Sequence, residues 1–131
     1  MVKAEIQMSS SGRDTDCIVR ICDVYPDGRS MLVVEYARRA RYRLGFERQE
    51  LLQPGEPAAI CFDVGWTSIT FNAGHRIRVL VASSGAPLYE PNHWQDGSVQ
   101  TVAVPEAGGV AVTNSLYHGT TTRIIAPVVS A

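Results

Sequence analysis

The chain has 131 residues, with 12 basic and 13 acidic side chains and a formal charge of −1, so no net field draws it to a polyanion or to a membrane surface. Its length suits one domain around a single core. Neither the opening Met1-Val2-Lys3-Ala4-Glu5 nor any later stretch is an apolar run of signal-peptide or membrane-spanning length, so a soluble, cytoplasmic protein is expected.

Lys3 to Ser9 alternates through Ala4, Ile6 and Met8 as a half-buried strand does, and Ser9-Ser10-Ser11-Gly12 closes it as a loop. From Asp14 to Arg43 the pattern predicts a long hairpin, the piece around which the rest is organised. Cys17, Val19 and Ile21 share one face of an alternating run, and Met31 to Val34 is densely apolar. Between them Pro26 presets φ for a turn corner, Asp27 can bond local backbone, and Gly28 takes positive φ without steric cost. Residues 37–53 hold good helix formers, but Gly45 interrupts them and the apolar residues lack helical spacing. The expectation is irregular chain with one helical turn near Arg48 to Leu52, ended by Pro54-Gly55-Glu56-Pro57.

Ala59 to Val64 alternates through Ile60 and Phe62 as the next strand, and Trp66 to Asn72 reads as a loop with aromatic anchors. Ala73-Gly74-His75 reverses the chain into Arg76 to Val81, where Ile77, Val79 and Val81 face one way and Arg76 and Arg78 the other. Gly85 to Gly97 is a long loop of the kind that forms interfaces or sites. Residues 99–104, 110–117 and 123–129 are further strand candidates. About eight short strands at this spacing predict an all-β sandwich in a single domain, residues 1–131.

Chemistry-bearing patterns are sparse. Three cysteines, Cys17, Cys22 and Cys61, lack metal or redox spacing and sit in apolar strands, which predicts buried free thiols. No Gly-x-Ser-x-Gly elbow exposes a serine, and Ser83-Ser84 has only His75 or His118 as a conceivable base. The histidines His75, His93 and His118 offer no paired ligand spacing, so no metal or cofactor is expected, and His75 beside Gly74 reads as a hydrogen-bonded turn histidine. Asp14 and Asp16 could ligate Ca²⁺, but acceptance of backbone N–H groups is the favoured reading. Strand alternation would set Arg39, Arg41 and Arg43 on one face as a basic stripe around Tyr42. The family resemblance described below instead assigns this stretch to the fold, implying pairing with carboxylates such as Asp14, Asp16, Asp23 or Asp27 in preference to nucleic acid. Trp66, Tyr89 and Trp94 could form a sugar platform, but cover of a core or a domain interface is the expectation.

Several of these segments recur together in one family. Asp14-Thr15-Asp16, then Asp23-Val24-Tyr25-Pro26-Asp27-Gly28-Arg29, then Arg39-Ala40-Arg41-Tyr42-Arg43 closely resemble the C-terminal domain of the cocaine esterase and X-Pro dipeptidyl-peptidase family of hydrolases. Leu52-Gln53-Pro54-Gly55-Glu56, Phe71 to Arg78 with its Gly74-His75-Arg76, Ser83-Ser84 with Pro87, and Tyr117-His118 continue the resemblance in order. The chain differs at Ala86, where the family has an aromatic residue, and after His118, where the family's acidic residue and proline are missing, and Pro91-Asn92-His93-Trp94 resembles the family's asparagine-rich loop only in part.

The resemblance implies a jelly-roll β-sandwich of galactose-binding-like type without catalytic residues, since the family's serine, aspartate and histidine lie in an upstream α/β-hydrolase domain. That domain is the implied partner, in cis in the family and in cis or in trans here, and the implied role is to pack against it and shape its substrate pocket. Trp66, Pro87, Tyr89, Trp94 and His118 are then the interface or ligand candidates. The structural motif comprises Asp14, Asp16, Asp23, Pro26, Asp27, Gly28, Arg29, Arg39, Arg41, Arg43, Gly74, His75 and Arg76. The alternative is a stand-alone carbohydrate- or small-ligand-binding sandwich. The family's sandwich begins one strand earlier, so the strand from Lys3 is an expected sheet edge, open to homo-oligomer formation and guarded by Lys3 and Glu5.

Overall fold

The computed structural model of the protein describes residues 1–92 and 111–129. The expected strand at residues 99–104, together with His93 and Trp94, lies outside them. The described residues form an all-β sandwich of two antiparallel sheets with seven strands and one turn of 3-10 helix. In chain order the strands are β1 (Val2–Ser10), β2 (Asp16–Val24), β3 (Ser30–Arg39), β4 (Ala58–Gly65), β5 (Arg76–Ala82), β6 (Asn114–Leu116) and β7 (Arg123–Ile125).

In the first sheet β1 is central. It pairs with β4 from Val2↔Gly65 to Met8↔Ala58, and on its other side with β7 at Lys3 to Glu5 and with β6 at Met8 to Ser10. The expected edge position of β1 is therefore corrected: both of its sides carry partners, and Lys3 and Glu5 pair across strands with Asp63 (3.9 Å) and Arg123 (2.5 Å). In the second sheet β2 is central between β3 and β5. Ile21 faces Val34 and Cys22 faces Leu32, which leaves Val33 as the extra residue of a bulge. The bulge sets Met31 and Val34 on the same side, opposite Asp23 and Ile21, with Leu32 on the other side opposite Cys22.

The core lies between the sheets. Val2, Ala4, Ile6 and Met8 of β1 and Ile60, Phe62 and Val64 of β4 meet Cys17, Val19 and Ile21 of β2, with Ala40 and Leu52 at one end. Each large apolar side chain buried there contributes about 1.5–3 kcal/mol. The same alternation turns Cys61 outward, so the expectation of three buried thiols is corrected: Cys17 and Cys22 are buried and Cys61 is exposed.

Other expectations shift as well. The helical turn falls at Ala40–Tyr42, not at residues 48–52. There the Glu50 and Leu52 N–H groups donate instead to Arg41 O (2.7 Å) and Arg13 O (2.8 Å), which takes up the donors a helix would need. β6 and β7 are shorter than the sequence pattern; beyond Ile125 the run meets Pro127, which has no N–H for a ladder. On β5, Ile77 points inward yet is 62% exposed, because the described strands leave that end of the sheet uncovered.

Candidate interface site

The family-like motif residues converge where the chain enters β2. Asp14 is fully buried and Arg41 is 2% exposed. Asp14 Oδ1 accepts the Arg41 backbone N–H (2.8 Å), and its Oδ2 accepts Arg41 Nε (2.6 Å). The short turn after β3 makes this possible: Ala40 N–H is held by Thr15 O at 2.8 Å, which swings Arg41 inward. No basic stripe forms, and the expected alternation of Arg39, Arg41 and Arg43 is corrected on this ground. Arg39 Nε donates to Asp16 Oδ1 (3.0 Å), and Arg43 donates to the carbonyls of Ala40 and Glu50.

Asn92 closes the cluster, donating from Nδ2 to Asp14 Oδ2 at 2.8 Å and to Asp16 Oδ1 at 3.3 Å. Asp14 therefore accepts one backbone N–H, whereas the Asp16 carboxylate is taken up by side chains. Burial pushes the Asp16 carboxyl above its ordinary 3.8, with the Asp14 charge adding to the rise and Arg39 and Asn92 opposing it. Both oxygens of Asp14 and Oδ1 of Asp16 thus accept from guanidinium, amide or backbone N–H groups.

A second group ties the hairpin tip to the start of β5. His75 Nδ1 lies 2.9 Å from both oxygens of Asp23, its ring packs on Tyr25 at 4.3 Å, and Arg29 covers Tyr25 at 4.7 Å. Asp27 accepts the Arg29 backbone N–H (3.1 Å) and Arg29 Nε (2.7 Å). Gly28 sits at φ +92°, and Gly74, at φ +84°, packs beside Pro26. Arg76 begins β5 opposite Val24 and is exposed. Ser83 and Ser84 are exposed, and among the described residues no hydrogen bond joins either to a histidine.

The interface candidates do not gather in one place. Trp66 follows β4 in the first sheet and is 79% exposed, so it anchors nothing in the described fold. His118 is exposed in the excursion between β6 and β7, where Tyr117 N–H returns to Gln7 O (3.0 Å). Pro87 and Tyr89 lie on the other sheet, in residues 83–92, where Gly85 packs against Ile18 and Tyr89. Trp94 is outside the described residues. Sequence reasoning missed Leu44, Phe46 and Leu88, all large, apolar and more than half exposed. The available signal was an apolar residue inside a loop, as Phe46 is beside Gly45. The buried Asn92 carried no such signal, because nothing local marks an asparagine as a partner of residues more than seventy positions away.

Over residues 1–121 the chain matches the family described as the X-Pro dipeptidyl-peptidase C-terminal non-catalytic domain. It is 32% identical over 130 residues to the cocaine esterase of Rhodococcus sp. (strain MB1 Bresler), which covers 98% of this chain and 22% of the esterase. Among solved structures, an α-amino acid ester hydrolase superposes with a TM-score of 0.80 at 31% identity, covering 88% of this chain and 20% of that one. An aminopeptidase from a marine sediment Thaumarchaeota archaeon does so with a TM-score of 0.83 at 29% identity, covering 95% and 23%. The chain thus spans about a fifth of the length of each of these relatives.

Proposed function

Because the chain belongs to the family of X-Pro dipeptidyl-peptidase C-terminal non-catalytic domains, we propose that it packs against an α/β-hydrolase catalytic domain and shapes that domain's substrate pocket. The observation that carries this reading is the ordered match of nearly the whole chain to about a fifth of an esterase, an ester hydrolase and an aminopeptidase. The surface supports it: Trp66, Leu88, Leu44 and Phe46 project apolar atoms that the domain's own core does not use. The catalytic domain is joined in cis or supplied in trans. Without one, those apolar residues and the edges of β3 and β5, which have no strand partner among the described residues, favour association of two copies.

The test is made on the purified chain. It is expected to turn over neither short acyl esters nor X-Pro dipeptide substrates, and to associate in light scattering as its concentration rises through tens of micromolar. Hydrolysis abolished by Ser83→Ala or Ser84→Ala would overturn the non-catalytic reading. A strict monomer would remove the second-copy arrangement.

A further inference from the structure

Residues 83–92 leave the end of β5 and return over the outer face of the second sheet, and they are held at two points. At one, Gly85 lies so close to Ile18 that an added Cβ would stand 3.0 Å from Ile18 Cδ1 and 3.0 Å from Tyr89 Cδ2. Tyr89 N–H closes a turn onto Gly85 O at 3.1 Å. At the other, Asn92 is buried, with its amide nitrogen between the carboxylates of Asp14 and Asp16. Between the two points Pro87 is exposed and Leu88 is 68% exposed.

The chemistry of the second point is specific. Arg39 and Arg41 already balance Asp14 and Asp16, so a third cation would upset the cluster and a third anion would be repelled. A carboxamide offers two N–H donors and no charge, one donor for each carboxylate. Hydrogen bonds to ionised acceptors in a buried setting are the strong ones.

We propose that Asn92 is a latch: by donating to Asp14 and Asp16 together, it fixes the shape in which residues 83–92 present Pro87 and Leu88. Its functional meaning rests on the reading above, in which that surface meets a catalytic domain. The latch itself is tested on the chain alone, so the two can fail separately.

Amide hydrogen exchange at Tyr89, referred to Val19 in the middle of β2, reads the latch. In Asn92→Ala, Tyr89 protection should fall at least about tenfold relative to Val19, since two buried charge-assisted hydrogen bonds are lost. In Asn92→Asp, which keeps the shape but adds a third carboxylate, it should fall further. The exchange Asp16→Asn with Asn92→Asp returns the cluster to its original net charge and restores a donor between positions 16 and 92, though not toward Asp14, and should recover part of the protection lost in Asn92→Asp. The latch is refuted if Asn92→Asp protects Tyr89 as well as the wild type does. It is equally refuted if Tyr89 and Val19 lose protection in step in both single variants, or if the exchanged pair is no better than Asn92→Asp.

Discussion

A thiol reacts through its thiolate and only where a reagent can reach it, and the three cysteines separate on both counts. Cys17 is buried, and burial, reinforced by the neighbouring Asp16 carboxylate, pushes its thiol up to about 12. Cys22 is buried beneath the outer face of β2, whereas Cys61 is exposed. A disulfide-exchange reagent at pH 8 should therefore titrate one thiol rapidly in the folded chain and all three after denaturation. Two fast thiols in the native state would contradict the placement. Asp16 gives a pH dependence of unusual sign. Its folded-state value lies above 3.8, so the folded form binds the proton more readily than the unfolded chain. Its contribution to stability therefore grows as pH falls through that raised value and is complete below 3.8, opposite to a salt-bridged carboxylate with a depressed value. Carbon-13 titration of the Asp16 carboxyl should give a midpoint above 3.8, and a midpoint at or below it would contradict this account.

At the scale of elements, what was legible followed from alternation and turn chemistry. Ala4, Ile6 and Met8, then Ile60 and Phe62, spell out inward faces, and Pro26-Asp27-Gly28 marks the one reversal that could join β2 to β3. What stayed hidden depended on partners distant in sequence. The 3-10 turn at Ala40–Tyr42 exists because Thr15 O takes Ala40 N–H and Asp14 takes Arg41, and no periodicity in residues 37–53 encodes either contact. Likewise β1 reads as an edge until β6 and β7 are seen to divide its second side between them. Of the candidate site, the pairing of the motif arginines with aspartates followed from the family resemblance, since alternation alone set them in a stripe, and the contact of Asn92 with Asp14 followed from neither. The packing of the sheets makes its own prediction at Gly65, where a Cβ would stand 2.8 Å from Val34 Cγ2 at φ +145°. Gly45 has a similar φ of +142° but open space around it. Gly65→Ala should therefore lower the urea midpoint by more than Gly45→Ala does, the excess being an overpacking cost of about 1–3 kcal/mol. Equal losses would show that Val34 does not press on Gly65.

Among the described residues, the motif aspartates, arginines and His75 face one another, while several large apolar side chains face outward. Asp14, Asp16, Asp23, Arg39, Arg41 and His75 are engaged with one another or with the backbone. Trp66, Phe46 and Leu88 are presented outward. That division suits a domain whose chemistry lies in a neighbour. The most direct test replaces the aligned segment of the Rhodococcus cocaine esterase with this chain and follows ester hydrolysis and thermal unfolding together. If the chain packs on a catalytic domain and shapes its pocket, the chimera should unfold in one cooperative transition and hydrolyse ester with KM altered more than kcat, and Leu88→Asp should weaken both the cooperativity and the activity. Two independent unfolding transitions, with kinetics identical to the esterase lacking its aligned segment, would contradict it.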